Sequence, residues 1–168
     1  MTTIVDGTTG ITFPSTISGV SATQQYSGRV LQVVQGTLTS GVSTTTLSTF
    51  VTTGLSASIT PSSATSKILA TISGTGFTNG SAVQGVFTLY RGATNLSPTI
   101  YGFTTVYASS GATQGGVTFS YLDSPATTSS TSYTLYFSLS NSAGTINFNN
   151  VSALGQPTAT IILQEIAA

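Results

Sequence analysis

Between residues 132 and 139 the chain reads Ser-Tyr-Thr-Leu-Tyr-Phe-Ser-Leu, so Tyr133, Leu135, Phe137 and Leu139 fall at every second position. A period of two places these four side chains on one face of an extended strand and the polar residues between them on the other. β-rich runs, several of them with the same alternation, span residues 29–35, 47–53, 55–60, 67–72, 83–91, 99–107, 117–121, 146–151 and 158–164. Clusters of Gly, Ser, Asn and Pro separate them. No stretch sustains a period of 3.6 between capping residues, so essentially no helix is expected. About ten short strands at this spacing predict an all-β fold, an antiparallel β-sandwich of jelly-roll-like form.

The first residues read differently. Asp6-Gly7 and Thr9-Gly10 are turn signals, and Ile11-Thr12-Phe13-Pro14 is a short apolar hook closed by proline. Residues 15–25 are mostly small and polar. Two parts are expected: an extended N-terminal arm over residues 1–25 and a single β-sandwich domain over residues 26–168. A chain of this length buries roughly 70% of its unfolded surface, so the core needs no covalent staple. None is available, since the chain has no Cys.

Charge excludes more than it suggests. The charged side chains are Asp6, Arg29, Lys67, Arg91, Asp123 and Glu165, and there is no His. Three scattered basic residues cannot neutralise a phosphate backbone, which excludes a nucleic-acid groove. No apolar run approaches the ~20 residues of a membrane-spanning helix, so no membrane insertion is expected. The N-terminus has neither the basic nor the apolar region of a secretory signal. Disorder is disfavoured, because disordered chains combine low hydrophobicity with high charge, whereas 39% of these residues are hydrophobic and 4% charged. Exposed strand edges are usually guarded by charge or proline. With only Arg29, Lys67 and Arg91 to serve, a subunit of an assembly, its edges covered by neighbours, is expected.

Chemistry has few candidates. Asp123 and Glu165 could form a glycosidase-type carboxylate pair; the simpler expectation is a turn-capping Asp123 before Ser124-Pro125 and a solvated Glu165 at a strand end. Lys67 is the only base that could activate a Ser or Thr nucleophile, and edge protection is its simpler role. Asp6, Asp123, Asn147, Asn149 and Asn150 are oxygen donors too scattered for a calcium site. Zinc would want Cys or His. No catalytic residue, metal or cofactor is therefore expected. Asn79, Asn95 and Asn150 begin sequons of the kind chance produces in a Ser/Thr-rich chain, and Thr44-Thr45-Thr46 begins no regular threonine ladder. Tyr90, Tyr101, Phe103, Tyr107, Tyr121, Tyr133 and Tyr136 fall mostly on strands. They are read as core and subunit-interface packing, with a carbohydrate-stacking platform as the alternative.

Several segments resemble one group of proteins. The opening from Asp6 through Pro14 is similar to the N-termini of bacteriophage tail-fibre and virion structural proteins. Residues 59–69, Ile-Thr-Pro-Ser-Ser-Ala-Thr-Ser-Lys-Ile-Leu, resemble a segment of structural proteins from phages of cyanobacteria and other marine bacteria. Residues 90–96, 121–125 and 133–137 fit the same group. The resemblance implies a β-sandwich head, usually trimeric, on the outside of the particle, and it brings no catalytic residues. A fibre needs a shaft, and beside the sandwich only a short arm is expected. The expectation is a capsid decoration (cement) protein on the outer surface of the virion. It would hold the major capsid protein or another virion protein through the arm residues Ile11, Phe13 and Pro14, and assemble with itself as a homotrimer. A tail-fibre or receptor-binding tip, or a carbohydrate-binding module meeting a host-surface glycan, is the alternative.

Overall fold

The computed structural model describes residues 4–6, 10–12, 27–140, 143–150 and 156–168. Near the N-terminus, β1 (Ile4–Asp6) and β2 (Gly10–Thr12) pair as an antiparallel hairpin, Val5 opposite Ile11. The sandwich follows: β3 (Val30–Leu38), β4 (Val42–Thr44), β5 (Val51–Ile59), β6 (Lys67–Asn79), β7 (Val83–Arg91), β8 (Thr94–Asn95), β9 (Thr104–Ala108), β10 (Ala112–Asp123), β11 (Thr131–Leu139), β12 (Thr145–Phe148) and β13 (Ala159–Ile166). No helix occurs among the described residues.

One sheet runs β3-β13-β6-β10 and the other β5-β11-β7-β9, every neighbouring pair antiparallel. Ranked along the chain, these strands place the first, eighth, third and sixth in one sheet and the second, seventh, fourth and fifth in the other. That order is a jelly roll. β12 extends the row of β13 along the far half of β6, β4 pairs with β12, and β8 pairs with the end of β7.

Alternation builds the core as the sequence requires. Tyr133, Leu135, Phe137 and Leu139 are all buried, facing Ile68, Ala70, Ile72, Ile161 and Leu163 of the other sheet. Phe87 stacks on Phe137 at 6.2 Å and tilts against Phe148 at 5.8 Å, filling the middle. Each such buried side chain contributes about 1.5–3 kcal/mol by leaving water.

The two runs separated at Gly54 are one strand. Thr53, Gly54 and Leu55 of β5 stand opposite the single residue Leu135. Gly54 takes φ 83° at this bulge, a conformation glycine adopts without penalty. Thr53 Oγ1 donates to the Leu135 carbonyl at 2.8 Å and replaces the missing ladder bond. Residues 99–103 are not strand; β9 begins only at Thr104. The uncharged edges also find a solution within one chain, because β3 lies against β5 and β9 against β10 of the opposite sheet.

Candidate interaction face

Asp123 is no turn cap in solvent. It ends β10 facing inward and is 6% exposed. Arg91 Nη1, from the opposite sheet, donates to both carboxylate oxygens at 2.8 and 2.9 Å, and Tyr133 Oη donates to Oδ2 at 2.6 Å. Arg91 and Tyr133 are direct neighbours on β7 and β11, so the pair ties sheet to sheet. Burial, then the bond to Asp123, pushes the Tyr133 hydroxyl far above its ordinary pKa, which keeps it a donor.

Glu165 is no solvated strand end either; it is fully buried. Ser62 donates to Oε1 from its backbone N at 2.7 Å and from Oγ at 2.6 Å, and Gln32 Nε2 donates to Oε2 at 2.6 Å. The same Gln32 amide reaches the Thr60 carbonyl at 2.7 Å, so this carboxylate clasps the loop between β5 and β6. Burial works to raise its pKa. The donors outweigh that and hold it at about 2, below the ordinary 4.5. Ser66 Oγ, buried beside it, adds to this lowering without meeting hydrogen-bond geometry with any group.

The two carboxylates share one rung, Gln32–Glu165–Ile68–Asp123, but Ile68 stands between them. At a strand spacing of ~4.8 Å their Cα atoms lie ~10 Å apart, and each side chain is bonded into its own cluster. Lys67 is no edge guard: β6 is paired on both sides, and Lys67 points outward while its neighbour Ser66 is buried. Lys67 therefore does not meet that hydroxyl. Asn149 is buried and donates to the Leu38 carbonyl at 2.9 Å, while Asn147 donates to that of Phe77 at 3.4 Å. No group of three or more metal-ligating acidic, His or Cys residues occurs among the described residues. Ile11 lies on β2 with its side chain undescribed, and Phe13 and Pro14 lie outside the described residues.

The aromatic residues divide among different roles. Tyr133 is core; Phe103 stacks on Phe119 and tilts against Tyr121, both at 5.0 Å, between β9 and β10. Tyr90 and Tyr136 stack at 4.1 Å on the outer face of the β5-β11-β7-β9 sheet. Tyr101 and Tyr107 are exposed.

The outer face of the other sheet is an uncommitted surface. Its register places Leu122, Leu69, Gln164 and Val33 on one rung, Ser120, Thr71, Ile162 and Gln35 on the next, and Thr118, Ser73, Thr160 and Thr37 on a third. Thr71 and Ser120 share a hydrogen bond of 3.0 Å across the strands. Lys67 is the one charged residue among the outward positions of these four strands. One corner is apolar. At the bulge where β13 passes from Glu165 to Ile166, both Val30 and Leu31 stay outside, and with Val33 and Leu122 they are 43–58% exposed. The N-terminal segment enters the sandwich at this corner, fastened by Gly28 N to the Ala167 carbonyl at 2.8 Å. Sequence reasoning gave this face no role, because the register that aligns Leu122 with Val33 across four strands is not written in any local pattern.

No family model and no curated protein matches the chain. Among solved structures, a chain from Bacillus endospore appendages, described as a novel family of disulfide-linked pili, is 17% identical over 89% of this chain and 98% of its own, with a TM-score of 0.35. The D431N mutant VP2 protein of infectious bursal disease virus, from T=1 particles, is 18% identical over 82% of this chain and 36% of its own, with a TM-score of 0.38. The structure of the Gx strain of that virus gives 16%, 83%, 39% and 0.36. Likeness at this level carries no inference about function.

Proposed function

We propose that this chain is a non-enzymatic structural protein of a phage virion, a capsid decoration protein that sits on the outer surface of the shell. The observation that carries the reading is the four-strand outer face, uncharged but for Lys67 and apolar at the corner where the N-terminal segment enters. The sequence resemblance to phage structural proteins supports it. The jelly roll alone does not choose, because capsid domains, lectins and cupins share it. The proposed partner is an equally neutral surface of the major capsid protein. The arm, with Ile11, Phe13 and Pro14 as anchors, would dock on that partner, where main-chain pairing offsets a backbone entropy cost of roughly 1–2 kcal/mol for each residue fixed. A homotrimer would engage three arms at once and gain avidity.

The test adds full-length protein, a variant lacking residues 1–25, and Val33→Asp/Leu122→Asp to particles assembled without this protein. Cosedimentation of the full-length chain is expected, little changed by salt because few charges exist to screen. Both variants should bind less. Equal binding of the truncated chain rejects the arm as anchor, and equal binding of the double variant rejects the face. Full-length protein that ignores particles but labels host cells favours the receptor-binding reading.

A further inference from the structure

The opposite sheet carries a different kind of surface. Between β8 and β9 the chain leaves the sheet over residues 97–102 and returns, with Phe103 N donating to the Phe87 carbonyl at 2.8 Å. This excursion covers the outward side of β7. Val86 and Thr88 are fully buried there, although they alternate with the core residues Phe87 and Leu89. Gly102 makes the return at φ 63°, and a Cβ at this position would collide with the Phe87 carbonyl. Residues 46–48 form the facing wall, pinned to Leu139 by Ser48 N donating to its carbonyl at 2.7 Å and by Leu139 N donating to Thr46 at 2.9 Å. A cleft of about 360 Å³ opens between the two walls.

The lining fixes the ligand chemistry. Ser48, Thr99 and Ser138 bring hydroxyls and Asn95 an amide, while Pro98, Ile100 and Leu139 add apolar surface. Ser97 and Ser140 also line it, their hydroxyls already donating to the Thr99 carbonyl at 3.1 Å and to Gln84 Oε1 at 2.8 Å. No charged residue lines the cleft, so neither a phosphate nor a carboxylate would find a counter-charge. Phe50 supplies an aromatic surface, and it meets Tyr90 edge-on at 6.3 Å, continuing into the Tyr90–Tyr136 stack. Asn95 is oriented by its neighbours: Oδ1 accepts from Thr88 Oγ1 at 2.6 Å and from Ser97 N at 3.0 Å. A backbone N–H can only donate, so it fixes which end of the amide is oxygen. Both amide N–H donors are left for a ligand.

We infer that this cleft binds a neutral saccharide. Sugars offer hydroxyls that both donate and accept, together with an apolar ring face that packs on an aromatic side chain. The volume lies within the range of small-ligand sites and holds about one or two hexose rings. The cleft lies on the sheet opposite the one proposed to face the shell, so a decorated particle would present it outward.

The inference is tested on the full chain with defined probes: cellotetraose, maltotetraose, chitotetraose and galactotetraose as neutral ligands, and sialyllactose and a heparin tetrasaccharide as anionic ones. Binding is read by saturation-transfer NMR and by titration at millimolar ligand. At least one neutral saccharide should bind and the anionic ones should not. Asn95→Asp keeps both acceptor bonds while deleting the free donors and adding charge. It should weaken binding by roughly tenfold or more, the scale of one good hydrogen bond. Phe50→Ala should do the same, and Ile100→Ser, at a rim position 77% exposed, provides a variant with little reason to disturb folding. Unchanged melting of Asn95→Asp separates a binding defect from a folding defect. Failure of every neutral probe, preference for the anionic probes, or binding indifferent to Asn95→Asp and Phe50→Ala would each overturn the inference.

Discussion

Asp123 and Glu165 lie on the same rung of the same sheet, both buried, and the molecule keeps each of them in its own way. Asp123 meets a cation and a phenol from the facing sheet; Glu165 meets only neutral donors, most of them on the loop below it. The first arrangement joins layer to layer and depends on charge. The second ties a connection down and depends on the direction of N–H and O–H groups. A chain with so few charged residues thus commits both sandwich carboxylates to holding its own fold, and the same commitment removes them from acid–base chemistry.

Breaking the first clasp should cost most. Asp123→Ala leaves the Arg91 guanidinium, 28% exposed, with only the Ser124 carbonyl at 3.4 Å and the buried Tyr133 hydroxyl without its acceptor, for an expected loss of ~3–5 kcal/mol in urea denaturation. If Asp123→Ala proved milder than Glu165→Gln, solvent would be compensating Arg91 and the contrast between the clasps would reverse. Glu165→Gln keeps size but turns an amide NH₂ toward donors, with an expected loss of about 2 kcal/mol.

Acid sharpens the comparison. The folded-state pKa of Glu165, about 2, lies below its ordinary 4.5. Its contribution is present in full above the unfolded value and disappears as pH falls from about 4.5 towards 2. Glu165→Gln should therefore flatten the loss of stability across that window, measured as melting temperature against pH. An unchanged slope would mean that the Glu165 clasp carries no pH-dependent stability. The smallest effect is expected for Tyr133→Phe, which removes one hydrogen bond to a charged group while leaving Arg91 in place, for about 1.5 kcal/mol, the low end for such bonds. A larger loss would show that the phenol, not the guanidinium, is the main support of Asp123.

Local alternation was readable wherever a strand has one buried face. Residues 83–91 and 132–139 match β7 and β11 to within a residue. It failed where neighbours in space decide. Lys67 resembles an edge guard until its strand, β6, is seen to lie between β10 and β13. Gly54 resembles a break until Thr53 repairs the bulge. Asp123 before Ser124-Pro125 has the local sequence of a turn cap, and nothing nearby in the chain announces Arg91, which is 32 residues away. The saccharide cleft was equally hidden. Tyr90 and Tyr136 were on the candidate platform, but Phe50, Asn95 and the hydroxyls beside it come from three separate segments.

The sequence by itself determined that this protein is all-β and poor in ionisable chemistry, because side-chain period and residue type are local properties that survive in any arrangement. Tertiary structure alone decided what the few charged residues do and which surfaces remain open. Those depend on register, and a strand that pairs one neighbour further along changes every partner across the sheet while leaving its own sequence pattern the same.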